Sequence, residues 1–259
     1  MAKTDTNMIA ASIVTYNTPN NEVDRSIRTL LASPLVVRID IIDNSRSETT
    51  RAVVESFNSE RVNYIASDNV GYGAANNIAI RQSLSDNTIQ YHLVMNSDII
   101  FDSSLLTELT DLMNANPDMA LTIPKVTDRE GKEQSSYHRL PSPWDLICHR
   151  FVPRRLWTRR MRDYEMKVDG LTEPVNVPYV HGCFMLMRCS ALQEVGLFDE
   201  RFFMYPEDID LTRRLHEKHR TCVIPWLSIV HDHRAASRHS LRMLCIHATN
   251  MLRYFRKWS

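Results

Sequence analysis

Three short apolar runs, each closed by polar residues and separated by helical spacings, limit what this chain can fold into more than any other feature. Met8–Thr15 (MIAASIVT) ends in Tyr16-Asn17-Thr18-Pro19, Val36–Ile42 (VVRIDII) ends in Asp43-Asn44-Ser45, and Val62–Ala66 follows. Between them Val23, Ile27, Leu30 and Leu31 recur at helical spacing, and Thr49–Phe57 fits a second helix. Apolar runs this short, bounded by turn formers, read as buried strands. Strand–helix–strand alternation predicts an α/β fold with a parallel, doubly wound sheet. Ligands of such sheets bind beyond the carboxyl ends of the strands, where Tyr16, Asn17, Asp43 and Asn44 fall.

The alternation continues through Asp68–Asn77 (DNVGYGAANN), which opens a helix to about Ser83. The third glycine of a dinucleotide fingerprint is missing, but the small residues permit close backbone approach and a helix N-terminus able to face phosphate. Tyr91–Met95 is a fourth strand and delivers Asn96-Ser97-Asp98. An acid at a strand tip suits either a polar turn or a hard divalent cation. A helix over Leu105–Asn114 and a strand over Ala120–Pro124 follow. Ser135–Pro178, rich in Trp and Pro and carrying the basic run RRLWTRRMR, breaks the pattern and is expected to be an irregular insertion with a short basic helix. Strand character returns over Val177–Met187, with His181-Gly182 inside it, and over Thr221–Ile224, before His231-Asp-His233-Arg234.

Between those two strands lies Phe198–Leu215 (FDERFFMYPEDIDLTRRL). Proline suits the first position of a helix, so Pro206 is expected there with Tyr205 as the N-cap. Glu207 and Asp208 then occupy the first turn, where the helix dipole favours negative charge, and Asp208, Leu211 and Leu215 share a face. This is an acidic helix start, or a general base held at the wall of the protein beside an aromatic rim. From Ser240 a last helix aligns Leu241, Leu244, Ala248, Met251, Leu252 and Phe255 on one stripe. Arg242, Arg253, Arg256 and Lys257 accompany it with no acid after Asp232, a pattern suited to an anionic lipid interface as well as to packing.

Composition narrows the function. A formal net charge of zero gives no general case for nucleic-acid binding. The five cysteines are scattered, with no C-x-x-C pair, so reduced thiols and a cytoplasmic setting are expected. The start of the chain has no signal-peptide pattern, and no run of 18 apolar residues occurs.

Taken in order, VTYN, IIDNS, DNVGYGAANN, MNSD, HGCFMLMR, GLFDERFFMYPEDIDLTRRL and IVHDHRAAS resemble a bacterial family 2 glycosyltransferase of GT-A fold, of the rhamnosyltransferase-like kind that builds O-antigen and capsule. The match runs from about Ile9 to the end, apart from 135–178. The resemblance implies a single GT-A domain over 1–259: a nucleotide-binding half over 1–100, an acceptor half over 101–233 containing the insertion, and a C-terminal amphipathic helix over 234–259. It implies inverting transfer, with Mg²⁺ or Mn²⁺, from a nucleoside-diphosphate sugar to a saccharide or lipid-linked acceptor. Peripheral contact with the inner face of the membrane is a further expectation.

Carried over by position, Thr15, Tyr16 and Asn17 border the nucleotide, and Asp43 accepts from the imide of a pyrimidine base. Asn69, Gly71 and Asn77 match the loop beside the nucleotide, and Asn96, His181 and Gly182 belong to the same donor site. Asp98 matches the metal ligand of a D-x-D motif whose first acid is here Asn96. Asp208, paired with Glu207, matches the general base. His231 or His233 matches a histidine that approaches the metal. The Q-x-x-R-W signature of processive synthases is absent, so single additions are expected. The main alternative is a catalytically silent GT-A module that binds nucleotide sugar. A dinucleotide oxidoreductase lacks its glycine fingerprint here, and a nucleotidyltransferase its glycine- and lysine-rich loop.

Overall fold

The computed structural model describes residues 7–143, 164, 166, 168, 170–232 and 241–259. His233, Cys148 and the basic run RRLWTRRMR lie outside the described residues. The chain runs β1 (Ile9–Thr15), α1 (Asn20–Leu31), β2 (Val36–Asp43), α2 (Glu48–Ser56), β3 (Val62–Ala66), α3 (Tyr72–Ser85), β4 (Tyr91–Met95), β5 (Ile99–Ile100), α4 (Ser104–Ala115) and β6 (Met119–Thr127). It continues with β7 (Tyr137–His138), β8 (Val175–Asn176), β9 (Tyr179–Val180), β10 (Phe184–Arg188), α5 (Cys189–Val195), α6 (Glu207–His216), β11 (Arg220–His231) and α7 (Leu241–Lys257). The main sheet has the order β3-β2-β1-β4-β10-β6-β11-β5, with β8 also on β11, and β7 pairs with β9 separately.

The β3, β2, β1 and β4 ladders are parallel, as is β6 with β11. The edge strand β3 is only half-buried, but β1, β2, β4 and β6 are buried on both faces, with Ile9, Ile13, Ile39, Ile41, Leu93 and Leu121 at 0% exposure. That is why they read as continuous apolar runs rather than alternating ones.

The strand in the middle of the sheet runs against both its neighbours, and its start borders the candidate site. β10 is inserted antiparallel between β4 and β6, with Phe184 opposite Met95. Its beginning, Gly182-Cys183, therefore lies at the end of β4, and Asn96 N–H donates to Cys183 O at 2.9 Å. β11 ends on β5, with His231 opposite Ile99, which carries its last residue to Asp98.

Several sequence expectations need correction. His181 and Gly182 occupy the turn before β10, not the strand itself. The segment 135–178 is not wholly irregular, because it supplies β7 and β8. β11 runs 12 residues, past the expected end at Ile224, because a register shift between Ile224 and Ser228 absorbs Pro225, as bulges do. Pro206 precedes α6 as its N-cap, one position earlier than expected, and Glu207 opens the helix. The C-terminal stripe is also rotated. Met251 and Tyr254 are buried, whereas Ala248 and Leu252 are exposed.

Candidate active site

The strand ends carry the expected residues, but not all in the expected state. Thr15 closes β1 in register with Asp43 and is buried, whereas Tyr16 is 58% exposed. Asn17 is also exposed, turns the chain at φ 51°, and donates from its N–H to Ser45 Oγ at 3.2 Å. Asp43 is fully buried and accepts four hydrogen bonds, from Ser45 N–H at 2.9 Å, Ser45 Oγ at 2.6 Å, Ser47 N–H at 2.7 Å and Tyr64 Oη at 3.0 Å. Burial alone would raise its carboxyl, but the bonds from Ser45, Ser47 and Tyr64 hold it below the ordinary range. A carboxylate has about four acceptor positions, so Asp43 holds its turn, and a base imide must displace one of these donors.

Two neighbours have capacity to spare. Thr15 Oγ1 and Asn44 Oδ1 are buried and lack hydrogen-bond partners. Buried polar groups are normally satisfied, so this pair is open to a bond from a ligand or an ordered water. Asn69 is exposed on the following loop. Asn77 does not join this group. Its amide donates to Phe198 O and Glu200 Oε1 at 2.9 Å and accepts from Phe198 N–H at 3.1 Å, so it ties α3 to the 198–200 turn.

The glycine loop does a different job from phosphate binding. Gly71 has φ 94°, and a Cβ there would sit 2.1 Å from Phe203 O. Tyr72 N–H donates to that same carbonyl at 3.0 Å. At this amide the N-terminus of α3 is closed by the 198–206 loop rather than offered to phosphate, which corrects the sequence expectation. Tyr72 then points its hydroxyl across the site, 3.0 Å from Asn96 Oδ1 and 2.6 Å from Gly182 O.

Asp208 faces this junction. It is half-buried, and its Oδ2 accepts from Gly182 N–H at 3.0 Å while Oδ1 accepts from Ile209 N–H at 2.8 Å. Burial raises its carboxyl above the ordinary value, partly offset by the His181 imidazole and these two amides. Glu207 beside it is 5% exposed, with Oε2 unpartnered. Burial first, and then the charge of Asp208, push Glu207 up to about 8. Both carboxyls of the pair are thus raised, and the pair holds a proton near neutral pH, while Asp208 is the member that two backbone amides reach. Asp210 is excluded as a base, because its fully buried carboxylate is held by Arg214, Lys257 and Trp258 Nε1.

On the other side, Asp98 and His231 meet, with Nε2 3.3 Å from Oδ1. Asp232 N–H donates to Asp98 O at 3.0 Å, and Ser26 Oγ donates to Ser97 O at 2.7 Å, which fixes the loop. Among the described residues no group of three metal-ligating side chains gathers. One carboxylate and one imidazole fit an open site, in which a hard cation takes its remaining oxygens from water and diphosphate.

Sequence reasoning missed two parts. Tyr72 lay inside the glycine loop with nothing to mark it. An aromatic wall also surrounds His181: Tyr179 and His138 lie 5.3 Å from it, and Tyr164 stacks on His138 at 4.7 Å. His138 and Tyr164 fall in the segment taken for an irregular insertion, so only folding reveals their partnership.

Residues 11–196 match the glycosyl transferase family 2 model. The chain belongs to glycosyl transferase family 2. It is a glycosyltransferase, similar over 90% of its length, at 28% identity, to the N-acetylglucosaminyl-diphospho-decaprenol L-rhamnosyltransferase of Mycobacterium tuberculosis, 78% of which is covered. It is 26% identical to rhamnosyltransferase WbbL of Escherichia coli over 69% of this chain and 66% of that protein. The mostly parallel sheet is a GT-A fold. GalNAc-T7, solved with UDP, GalNAc and Mn²⁺, superposes with a TM-score of 0.66 at 14% identity over 90% of this chain. A mannosyltransferase from Pyrobaculum calidifontis, in complex with GDP-Man and Mn²⁺, superposes with 0.58 at 14% over 95%. The chain spans 45% and 64% of those two structures.

Proposed function

We propose that this glycosyltransferase is inverting and metal-dependent, and moves a sugar, a deoxyhexose such as rhamnose, from a pyrimidine nucleoside diphosphate to a saccharide or lipid-linked acceptor in cell-surface polysaccharide synthesis. The observation that carries this reading is the hydrogen-bonded link from Asp208 through Gly182 and Tyr72 to Asn96. It connects a carboxyl raised by burial to the Asn96-Ser97-Asp98 turn, which supports a base and a metal ligand acting in one site.

In this reading the nucleotide enters at Thr15, Tyr16, Asn17 and Asn44, with Asp43 shaping the turn beneath it. Asp98 and His231 would hold Mg²⁺ or Mn²⁺, and the cation would supply positive charge to offset that growing on the leaving diphosphate. Asp208 takes the acceptor hydroxyl proton as that oxygen attacks the anomeric carbon. The single displacement inverts the centre and needs one base, unlike the carboxylate pair of a glycosidase. The mycobacterial relative is named for a lipid-diphosphate saccharide acceptor, which supports an acceptor of that class here.

A donor screen tests this: release of nucleoside diphosphate from dTDP-, UDP- and GDP-sugars, with a lipid-linked acceptor, with Mg²⁺ or Mn²⁺ and with EDTA. We expect metal-dependent release from a pyrimidine donor. Release from none would refute transfer.

Membrane contact is part of the proposal, as peripheral binding at the cytoplasmic face. Among the described residues no helix is long and apolar enough to cross a membrane. The cations of α7 are not all available, since Lys257 Nζ is paired with Asp199 and Asp210, against the expectation that no acid offsets them. Leu252, Arg253 and Arg256 remain exposed. Co-sedimentation with anionic vesicles, lost in Leu252→Ser with Arg256→Glu, is the expected result. Unchanged sedimentation of that variant leaves α7 a packing element.

A further inference from the structure

The hydroxyl of Tyr72 touches two groups that are both acceptors as placed, Gly182 O at 2.6 Å and Asn96 Oδ1 at 3.0 Å. A phenol has one proton. Burial lifts its ionisation well above the ordinary value, so the hydroxyl stays protonated and donates once. The shorter contact identifies Gly182 O as the acceptor. A second oxygen at 3.0 Å would then face the phenol oxygen with no proton between them. Exchanging the oxygen and nitrogen of a terminal amide leaves its shape unchanged, and here it turns a repulsive contact into a bond.

We propose that Tyr72 is a positioning residue that clamps the two halves of the active site, donating to Gly182 O and accepting from Asn96 Nδ2. The clamp rests on the proposed roles of Asp208 and Asn96-Ser97-Asp98. On one side, Gly182, whose carbonyl receives the Tyr72 proton, donates its own N–H, which belongs to the preceding peptide group, to Asp208 Oδ2 at 3.0 Å. The two bonds sit on the two peptide groups that flank the Gly182 Cα, so Tyr72 acts on Asp208 by fixing the orientation of Gly182 and with it the N–H aimed at the carboxylate. On the other side, the turned amide keeps its oxygen away from the phenol, free to receive a donor hydroxyl or a metal-bound water.

Two further observations support a fixed Tyr72. A Cβ on Gly182 would lie 3.3 Å from Tyr72 Cε1 and 3.5 Å from Asp208 Cβ, so the Tyr72 ring and Asp208 both pack closely against this glycine. The backbone of Tyr72 is held as well. Its carbonyl accepts from Asn76 Nδ2 at 3.1 Å, and Asn76 Oδ1 accepts from Ser12 Oγ at 2.7 Å. Ser12 has then spent its proton and must accept from His92 Nε2 at 2.9 Å. That leaves His92 Nδ1 to accept from Ser83 Oγ at 2.7 Å, consistent with burial depressing this imidazole to about 3 and keeping it neutral.

The test is Tyr72→Phe, which removes the hydroxyl and little else, read in two ways. In protein labelled with ¹⁵N-asparagine, with the Asn96 side-chain signal assigned by its loss in Asn96→Asp, we expect one amide proton to be protected in the wild type. Its solvent exchange should quicken by about tenfold in Tyr72→Phe, the scale of one hydrogen bond. Equal exchange in both proteins would overturn the clamp. This readout needs no substrate, so it stands even if the donor screen fails. For transfer, the acid limb of the kcat/KM profile should move to higher pH in Tyr72→Phe, because Asp208 loses stabilisation of its charge. A fall in rate with an unmoved profile would overturn the link to Asp208 and reduce Tyr72 to a structural residue.

Discussion

Asp43 and the Glu207–Asp208 pair are carboxylates of one site in opposite states. Asp43 ends a parallel strand inside a turn that gives it four donors, and its ionised form is favoured although it is fully buried. Glu207 and Asp208 open a helix whose dipole also favours negative charge, but burial with few donors raises both. Helix position therefore does not decide the outcome. The balance between burial and the hydrogen bonds that offset it does: burial prevails at Glu207 and Asp208, and four donors prevail at Asp43. The first environment makes a rigid scaffold, and the second makes a group ready to exchange a proton.

The comparison breaks most directly at Asp208. Asp208→Asn keeps the shape and removes the proposed base, so transfer should fall by about 10²–10⁴-fold while calorimetry shows donor affinity retained. Full activity would return the role to Glu207.

Next is the support behind α6. Asp210 is fully buried against Lys257 Nζ at 2.7 Å, and α7 closes over it through Trp258, which lies under the Arg213 guanidinium at 3.9 Å. Lys257→Glu sets like charges together and should cost about 3–5 kcal/mol, the scale for breaking a buried pair. A thermal melt should record a fall of roughly 10 °C. An unchanged melt would mean that α7 is not part of the site's scaffold.

A smaller effect is expected at Asp98. Asp98→Ala should weaken nucleotide-sugar binding at least about tenfold in Mn²⁺, and not at all in EDTA. Equal affinity for both proteins under both conditions would remove Asp98 from the metal site.

The mildest test sharpens the contrast without chemistry. Glu207 titrates at about 8 in the fold against 4.5 in its absence, so the folded chain holds a proton that the unfolded chain has released between those values. Stability therefore declines as pH rises through this window. Glu207→Gln should gain melting temperature over the wild type at pH 8 and show little gain at pH 5. A difference independent of pH would show that Glu207 is not held protonated.

Much of this fold was legible because parallel strands buried on both faces advertise themselves as apolar runs, and their ends fell within a residue of Thr15, Asp43 and Met95. The acids could be found as well, since Asp98 and Asp208 stand in ordered motifs. Their states could not. Nothing in IIDNS says that Ser45 and Ser47 fold back to saturate Asp43. Nothing in DNVGYGAANN separates Tyr72, which bridges the site, from Asn77, which braces the 198–200 turn. The first is a local turn whose geometry the residue types do not dictate, and the second arises from contacts more than 100 residues apart in sequence, Tyr72 with Gly182 and Asn77 with Phe198. The tail misled for the same reason. Its cations have no local acid, but Asp199 and Asp210 arrive from another part of the chain.

The proposed transfer is one displacement driven by one base. It is tested most directly by the anomeric configuration of the first product, read by proton NMR before the sugar can equilibrate, using whichever donor the screen identifies. Transfer with Asp208 as the base predicts a product inverted relative to the donor. A retained configuration would require a second displacement and a protein nucleophile, and would contradict the mechanism.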